Sequence, residues 1–164
     1  MSLPTVYIET SVVSYLASKP SANLIRAARQ LSSTRWWETC QDQFRIYTSN
    51  FTLDEAMKGD KTAAAKRISY LESTPLLEVN SMVLNLMVAI QKTKIFPNDC
   101  EVDIGHISVA SCHEIEILLT WNCRHIANPV IARKLEPFIR SQGYKMPYLA
   151  TPTDLMGDDD EEIK

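Results

Sequence analysis

Residues 6–11, with the sequence VYIETS, constrain the fold of this chain more than any other stretch. Val6, Tyr7 and Ile8 form an uncharged run of β-branched and aromatic residues, which predicts a buried strand. Glu9 follows directly, and a glutamate is almost never fully buried unless it is paired or binds a metal ion. The sequence therefore predicts a strand that carries a carboxylate into a site where a positive charge meets it.

The composition indicates one globular domain. The chain has 164 residues, of which 45% are hydrophobic and 23% charged. It contains no apolar run of the about 20 residues that cross a bilayer, and its N-terminus lacks the pattern of a signal peptide. The four cysteines have neither a framework spacing nor a CxxC pair. We therefore expect a cytoplasmic protein with reduced thiols.

Charge is distributed unevenly along the chain. Five of its 20 acidic side chains lie at residues 158–162, and Lys164 is the one base near them. Without these residues the net charge changes from −3 to +1. We predict a single domain at residues 1–156 and an acidic, disordered tail at residues 157–164. The alternative role for the tail is to mimic a phosphate backbone.

Basic side chains of the body fall into three groups. They are Arg26, Arg29 and Arg35; Lys58, Lys61, Lys66 and Arg67; and Arg133, Lys134 and Arg140. At helical spacing, such groups usually form solvated faces. They would bind a phosphate backbone if they shared one cleft.

Hydrophobic periodicity and turn residues predict strands that alternate with helices. The predicted strands are residues 6–8, 44–48, 76–79, 115–120 and 147–150. The predicted helices are residues 12–17, 21–40, 51–57, 60–71, 80–90, 101–113 and 129–142. This alternation implies an α/β fold with a parallel sheet covered on both faces. In such a sheet, a ligand site is expected beyond the carboxyl ends of the strands, where the strand order reverses.

Caps and buried faces follow from the same patterns. Thr10 or Ser11 is expected to cap the first helix, and Ser21 the second. The second helix should bury an apolar face formed by Leu24, Ile25, Ala28 and Leu31. The helix after Asn80 is apolar all round, so we expect much of its surface to be buried. Val12, Val13, Tyr15 and Leu16 are expected to pack in the core rather than to bind a partner or form a homodimer.

Polar side chains lie at the predicted carboxyl edge of the sheet. They are Glu9, Asp54, Glu55, Asp103, Thr120 and Asn122. Clustered carboxylates repel one another and raise each other's pKa, and a hard divalent cation removes that cost. Mg²⁺ or Mn²⁺ prefers such oxygen ligands. Taken singly, Asp103 is explained by a helix N-terminus, Glu55 by a surface position and Asn122 by a turn.

Four segments of the chain resemble the motifs of the PIN-domain family. They are residues 6–16 (VYIETSVVSYL), 52–55 (TLDE), 103–110 (DIGHISVA) and 118–122 (LLTWN). Their order and spacing extend the resemblance over residues 4–156. It implies a three-layer α/β/α PIN-like fold with a central, mostly parallel sheet. It also implies a hydrolase, a Mg²⁺- or Mn²⁺-dependent endoribonuclease. Small members resemble VapC-type toxins, which pair with an antitoxin in type II toxin–antitoxin systems.

The resemblance also implies roles for individual residues. The catalytic and metal-binding residues would be Glu9, Glu55 and Asp103, and the supporting residues Thr10, Thr120 and Asn122. Two positions depart from the commonest pattern: Glu9 stands where Asp is usual, and Asn122 stands where many members have Asp. An active enzyme would cleave single-stranded or looped RNA. The alternative is a catalytically weak or inactive PIN-like module that binds RNA or a protein partner. From fold class alone, a small-ligand binding protein with an apolar pocket is a third interpretation.

Histidines and cysteines offer two further interpretations. His106 lies one turn beyond Asp103, and we expect a buried side chain that orients its neighbours rather than a general base. A zinc site would have to use Cys100, Cys112, His113, Cys123 and His125. The sequence disfavours it, because no pair has the spacing of zinc ligands.

Overall fold

Five parallel strands form the centre of the protein. The computed structural model describes residues 2–157, so the predicted tail from residue 158 onward lies outside the described residues. The sheet order is β3-β2-β1-β4-β5, and every neighbouring pair is parallel. The strands are β1 (Thr5–Ile8), β2 (Arg45–Ser49), β3 (Leu76–Leu77), β4 (Ile117–Leu119) and β5 (Tyr148–Ala150). This confirms the predicted α/β fold with helices around a parallel sheet.

Helices connect the strands in the predicted order. They are α1 (Thr10–Ala17), α2 (Leu24–Thr39), α3 (Asn50–Ala56), α4 (Lys61–Leu71), α5 (Ser81–Thr93), α6 (Glu101–Cys112), α7 (Pro129–Ser141) and α8 (Pro152–Met156). A short 3-10 helix, Gln41–Gln43, precedes β2. The sequence did not predict α8, which begins at a proline one residue after Thr151, its N-cap. Among residues 2–157, no helix is both long and apolar enough to cross a membrane.

The two faces of the sheet bury separate cores. Tyr7 packs with α5, α6 and α7 on one face, whereas Val6 and Ile8 pack with α1, Trp36 of α2 and Leu71 of α4 on the other. This division follows from β-strand geometry, because successive side chains point to opposite faces. Val12, Val13 and Leu16 of α1 are buried in the second core, as predicted, whereas Tyr15 is only partly buried.

Two predicted buried faces are wrong in part. In α2, Leu24, Ile25 and Leu31 are 85%, 67% and 55% exposed. The buried stripe of α2 instead passes through Ser33 and Trp36, which the apolar periodicity of the first half of the helix did not reveal.

Helix α5 has the same kind of discrepancy. Its Val83, Leu86, Met87 and Ile90 are buried, but Met82, Leu84 and Val88 are about half exposed. The helix contacts α6 along one face, so its uniform apolarity did not mean uniform burial.

The fold brings the carboxyl ends of β1 and β4 together. The chain proceeds from β1 through β2 to β3 on one side and then returns to β4 and β5 on the other, so the strand order reverses between β1 and β4. Ile8 pairs with Leu119, and the backbone N–H of Glu9 donates to the Leu119 carbonyl over 3.1 Å. Glu9 and Thr120 therefore leave the sheet side by side at the position where α/β folds bind ligands.

Candidate metal-binding site

Glu9 is a helix cap as well as a candidate ligand. It is only 5% exposed, and its Oε2 accepts hydrogen bonds from the Ser11 N–H (3.1 Å), the Ser11 hydroxyl and the Thr120 hydroxyl (2.7 Å). The prediction that Thr10 or Ser11 caps α1 is therefore wrong: the carboxylate of Glu9 does so. A negative charge is favourable there, because the N-terminus of a helix has a partial positive charge.

Glu55 on α3 is held by two donors. Its Oε1 accepts from the Thr10 hydroxyl over 2.6 Å and from His106 Nε2 over 2.8 Å. Burial raises the pKa of the Glu55 carboxyl, but the hydrogen bonds from His106 and Thr10 outweigh it, so the pKa lies below its usual value of 4.5. Glu55 is therefore a carboxylate at neutral pH.

His106 is fully buried between Glu55 and Tyr7. Its Nδ1 lies 2.7 Å from the Tyr7 hydroxyl, which in turn lies 2.6 Å from the Ser49 hydroxyl. Burial raises the pKa of Tyr7 well above its ordinary value, so its O–H stays protonated. The Glu55 carboxylate can only accept a hydrogen bond, so its contact with His106 places a proton on Nε2, which donates to Glu55. The predicted orienting role of His106 agrees with this network.

Glu9 and Glu55 offer oxygens to a shared cation. Together with His106, they place one ligand atom each within 4.8 Å of one another. Because both nitrogens of His106 are engaged, the carboxylates are the candidate ligands in this group. Within residues 2–157, hydrogen bonds fix Oε2 of Glu9 and Oε1 of Glu55, and no protein donor reaches the second oxygen of either.

These carboxylates fit the demands of Mg²⁺ or Mn²⁺. In the described part of the chain, the buried side-chain atoms without a partner are Trp36 Nε1 and the hydroxyls of Ser108 and Ser111. Oε1 of Glu9 is not among them, so solvent reaches it. One fixed and one free oxygen on each carboxylate suit an ion that takes one or two carboxylates and keeps several waters.

Asp103 lies in a different group. Its Oδ2 is 3.1 Å from His125 Nδ1, and with Cys100 these residues place three ligand atoms within 4.8 Å of one another. Its Oδ1 accepts from Asn122 Nδ2 over 3.0 Å. The structure therefore joins Glu9 with Glu55, but it groups Asp103 with Cys100 and His125.

The two groups are connected through the predicted supporting residues. The Asn122 N–H donates to the Thr120 hydroxyl over 2.9 Å, and this hydroxyl donates to Glu9 over 2.7 Å. Because Asn122 also holds Asp103, two residues link the carboxylates of Asp103 and Glu9. Asp54, the acidic neighbour of Glu55, is exposed and belongs to neither group.

Sequence reasoning missed several contributors. Ser11 was expected only as a cap, whereas its hydroxyl both donates to Glu9 and accepts from the Trp121 N–H over 2.7 Å. Tyr7 was assigned to the strand core, although its hydroxyl reaches His106. His125 was considered only as a zinc ligand. It lies three residues after Asn122, and its backbone N–H donates to Asn122 Oδ1. This spacing could have indicated that His125 lies close to Asn122.

A groove of about 570 Å³ begins at Ser11 and runs along α1. Its lining includes Tyr15, Lys19 and Arg26. Beside it, the Arg29 guanidinium lies 5.4 Å from the centre of the Trp121 ring. Basic and aromatic side chains therefore adjoin the helix that Glu9 caps. Of the three predicted basic groups, the first one contributes here.

The fold and the carboxylate edge define a PIN-like α/β domain. No protein-family model matches the chain, and no curated protein matches it. Among solved structures, the chain is similar to VapBC2 from Rickettsia felis, bound to a DNA fragment from its promoter. The identity is 14% and the TM-score 0.55, and the match covers 90% of this chain and 98% of the other.

The chain is also similar to VapC20 of Mycobacterium tuberculosis, a sarcin-ricin loop cleaving toxin. The identity is 15% and the TM-score 0.52, over 70% of this chain and 87% of the other. These structural neighbours are VapC PIN-domain toxins. The resemblance stated from the sequence motifs is thus matched by the fold.

Proposed function

We propose that this protein is a Mg²⁺- or Mn²⁺-dependent endoribonuclease that hydrolyses RNA phosphodiester bonds, and that it is the toxin of a type II toxin–antitoxin pair. The observation that carries the proposal is the pair of carboxylates, Glu9 and Glu55, where the strand order reverses. Each has one oxygen fixed by protein donors and one free. The PIN-like fold shared with VapC toxins supports the same activity.

The residues of the site divide into ligands and the groups that orient them. A bound divalent ion would polarise the scissile phosphate and supply hydroxide at neutral pH. Glu9 and Glu55 would hold this ion. Thr120 fixes one oxygen of Glu9, and Thr10 fixes one of Glu55, which would leave the other oxygen of each carboxylate for the ion.

Asp103 is assigned here as the third acidic residue of the site. Asn122 holds its Oδ1 and is connected through Thr120 to Glu9, so the position of Asp103 depends on the same network. An ion of this kind keeps water ligands, and such a water would donate a hydrogen bond to the Asp103 carboxylate. Asp103 would thereby orient the attacking water.

The groove along α1 suits a single-stranded RNA substrate. Lys19 and Arg26 lie where they would neutralise backbone phosphates, and the Tyr15 ring offers a surface on which a base would stack. A stem-loop is a reasonable first substrate, because VapC20 cleaves the sarcin-ricin loop. A cytoplasmic antitoxin protein encoded beside this chain is the expected partner, in keeping with the similarity to VapBC2.

The proposal is tested by RNA cleavage with purified protein in Mg²⁺, in Mn²⁺ and in EDTA. Single-stranded and stem-loop RNAs should be cut only with metal present. Asp103→Asn and Glu55→Gln should each lower the rate by at least roughly 100-fold, the scale of losing one preorganised electrostatic group. The matched controls are Glu101→Gln and Asp54→Asn, exposed acidic residues near each target, which should retain activity. Cleavage that persists in EDTA, or in Asp103→Asn, would refute this assignment.

A catalytically weak or inactive PIN-like module is the second candidate. It is favoured by one observation: Asp103 is grouped with His125 and Cys100 rather than with Glu9 and Glu55. Calorimetry with Mn²⁺ separates the two. The nuclease should bind Mn²⁺ in a manner that Glu55→Gln weakens, whereas the inactive module should show no Mn²⁺-linked heat and no cleavage.

A further inference from the structure

A second group of side chains that could hold a metal ion lies where α6 begins. Cys100 is the residue before α6, Asp103 lies in its first turn, and His125 follows β4 in the chain. One ligand atom from each lies within 4.8 Å of the others. Cys100 is 4% exposed, while the side chains of Asp103 and His125 are 19% and 21% exposed. The group is therefore buried at the sulfur and open to solvent on its other side.

The spacing of these atoms fits a tetrahedral ion. The distance from Cys100 Sγ to His125 Nδ1 is 3.6 Å, and that from His125 Nδ1 to Asp103 Oδ2 is 3.1 Å. With the usual Zn–S, Zn–N and Zn–O bond lengths, a tetrahedral angle places sulfur and nitrogen about 3.6 Å apart and nitrogen and oxygen about 3.3 Å apart. Both distances would need adjustments of only a few tenths of an ångström at most.

The same geometry excludes a nucleophilic triad. In a Cys-His-Asp triad, the thiol and the carboxylate contact different nitrogens of the imidazole. Here both Cys100 and Asp103 approach Nδ1 of His125. One nitrogen cannot accept a proton from the thiol while it donates one to the carboxylate. The three ligand atoms instead lie within 4.8 Å of one another, close enough to be bound by one ion.

Asn122 supports the group from outside. The Asn122 Nδ2 donates to Asp103 Oδ1, so the other oxygen of Asp103 contacts His125. The side-chain oxygen of Asn122 accepts from the backbone N–H of His125 over 3.0 Å. Hydrogen bonds of this kind orient metal ligands and raise their affinity. One side chain thus positions two of the three ligands.

We propose that Cys100, Asp103 and His125 form a binding site for Zn²⁺, with water or another ligand in the fourth position. A sulfur and an imidazole nitrogen favour Zn²⁺ over Mg²⁺, whose preferred ligands are oxygens. Three protein ligands with an open fourth position match zinc sites that remain accessible to solvent. The sulfur and the imidazole distinguish this site from the carboxylate pair of Glu9 and Glu55, and Asp103 is the residue that the two proposed sites share.

Cobalt substitution tests the site without any need for ribonuclease activity. Metal-free, reduced full-length chain is titrated with Co²⁺, which gives sulfur-to-metal charge transfer in the near ultraviolet when a thiolate binds it. We expect this band at one equivalent of Co²⁺, and its loss when Zn²⁺ is added. Cys100→Ser should abolish the band. Cys123→Ser is the matched control, because Cys123 is an exposed thiol near His125, and it should retain the band.

His125→Gln keeps the test decisive if Cys100→Ser fails to fold. It should weaken Zn²⁺ binding by more than the roughly 10–100-fold that the loss of an outer-shell partner costs, while circular dichroism shows an unchanged fold. The proposal is overturned if the wild type gives no charge-transfer band, if folded Cys100→Ser retains it, if Cys123→Ser loses it, or if His125→Gln binds Zn²⁺ as tightly as the wild type.

Discussion

Asn122 Nδ2 donates a hydrogen bond to Asp103 Oδ1 over 3.0 Å. An aspartate at position 122 could not make this contact, because two carboxylates would then face each other at the same distance. The amide of Asn122 thus has a structural role, because it holds Asp103 in place without a cation. The proposed metal site would therefore depend less on a bound cation than one with aspartate at this position.

Asn122→Asp should make the stability of the protein depend on metal. In EDTA, we expect the free energy of unfolding to fall by about 1–3 kcal/mol, because a hydrogen bond is replaced by repulsion between carboxylates. Added Mn²⁺ should restore more stability to the variant than to the wild type, as measured by thermal melting. Asn85→Asp, an exposed position on α5, controls for the change in net charge. Equal stability of Asn122→Asp and wild type in EDTA would show that the hydrogen bond contributes little.

Glu9→Gln should separate helix capping from metal binding. If Glu9 were only a metal ligand, removing its charge would relieve repulsion with Glu55 and stabilise the metal-free chain. Since its carboxylate also caps α1 and accepts from Thr120, we expect the variant in EDTA to lose about 0.5–2 kcal/mol in denaturant unfolding. A metal-free variant more stable than the wild type would contradict the capping role. Mn²⁺ affinity, measured separately, should also fall.

The order of the elements and the edge of the sheet that carries the candidate site could be predicted from sequence. Strands that alternate with helices imply a parallel sheet. Ligand sites in such sheets lie beyond the carboxyl ends of the strands, which selects Glu9, Glu55 and Thr120. The caps of α1 and α2 could not be predicted reliably, because several polar residues compete for each position. In α2, Asn23 rather than Ser21 accepts from the Arg26 N–H.

The grouping of side chains could not be predicted, because it depends on contacts between distant parts of the chain. Thr120 meets Glu9 only through the register of β1 with β4. Likewise, Cys100 and His125 lie 25 residues apart in the sequence, so no local spacing predicts that their side chains are in contact. The lack of a local ligand pair disfavours zinc only for ligands close together in the sequence, whereas Cys100, Asp103 and His125 are brought together by the fold.

Glu55 should make the stability of the folded protein depend on pH in the acid range. Burial raises the pKa of this carboxyl, but the hydrogen bonds from His106 and Thr10 lower it by more. The pKa in the folded protein therefore lies below the usual 4.5. Its stabilising contribution is therefore complete above about pH 4.5 and is lost as the pH falls through the lower folded pKa. The difference in melting temperature between wild type and Glu55→Gln should shrink across that window.

The control for this experiment is Asp54→Asn, the exposed neighbouring carboxylate. Its difference from the wild type should stay small and should not change in the same pH window. A difference between Glu55→Gln and wild type that is constant from pH 6 down to the acid transition would show that Glu55 is not held in its charged form by His106 and Thr10.

Gly105 should resist replacement because of the Phe51 ring. A Cβ at this position would meet two ring carbons of Phe51 at 2.9 Å, and this ring lies edge-on against His106 at 6.1 Å between centroids. Alanine normally stabilises a helix interior by about 0.5–1 kcal/mol relative to glycine, whereas overpacking costs about 1–3 kcal/mol. We expect Gly105→Ala to be net destabilising in denaturant unfolding and to weaken RNA cleavage by displacing His106 from Glu55.

The Phe51→Leu variant shows whether this contact is the cause. On that background, the smaller side chain leaves room for the new methyl group, so Gly105→Ala should cost less than it does in the wild type, or even stabilise the protein. A double-mutant cycle would then give an interaction energy of at least about 0.5 kcal/mol, the lower range for residues in contact. Additive effects of the two substitutions would instead mean that α6 shifts away from α3 and that the ring of Phe51 does not set the limit at Gly105.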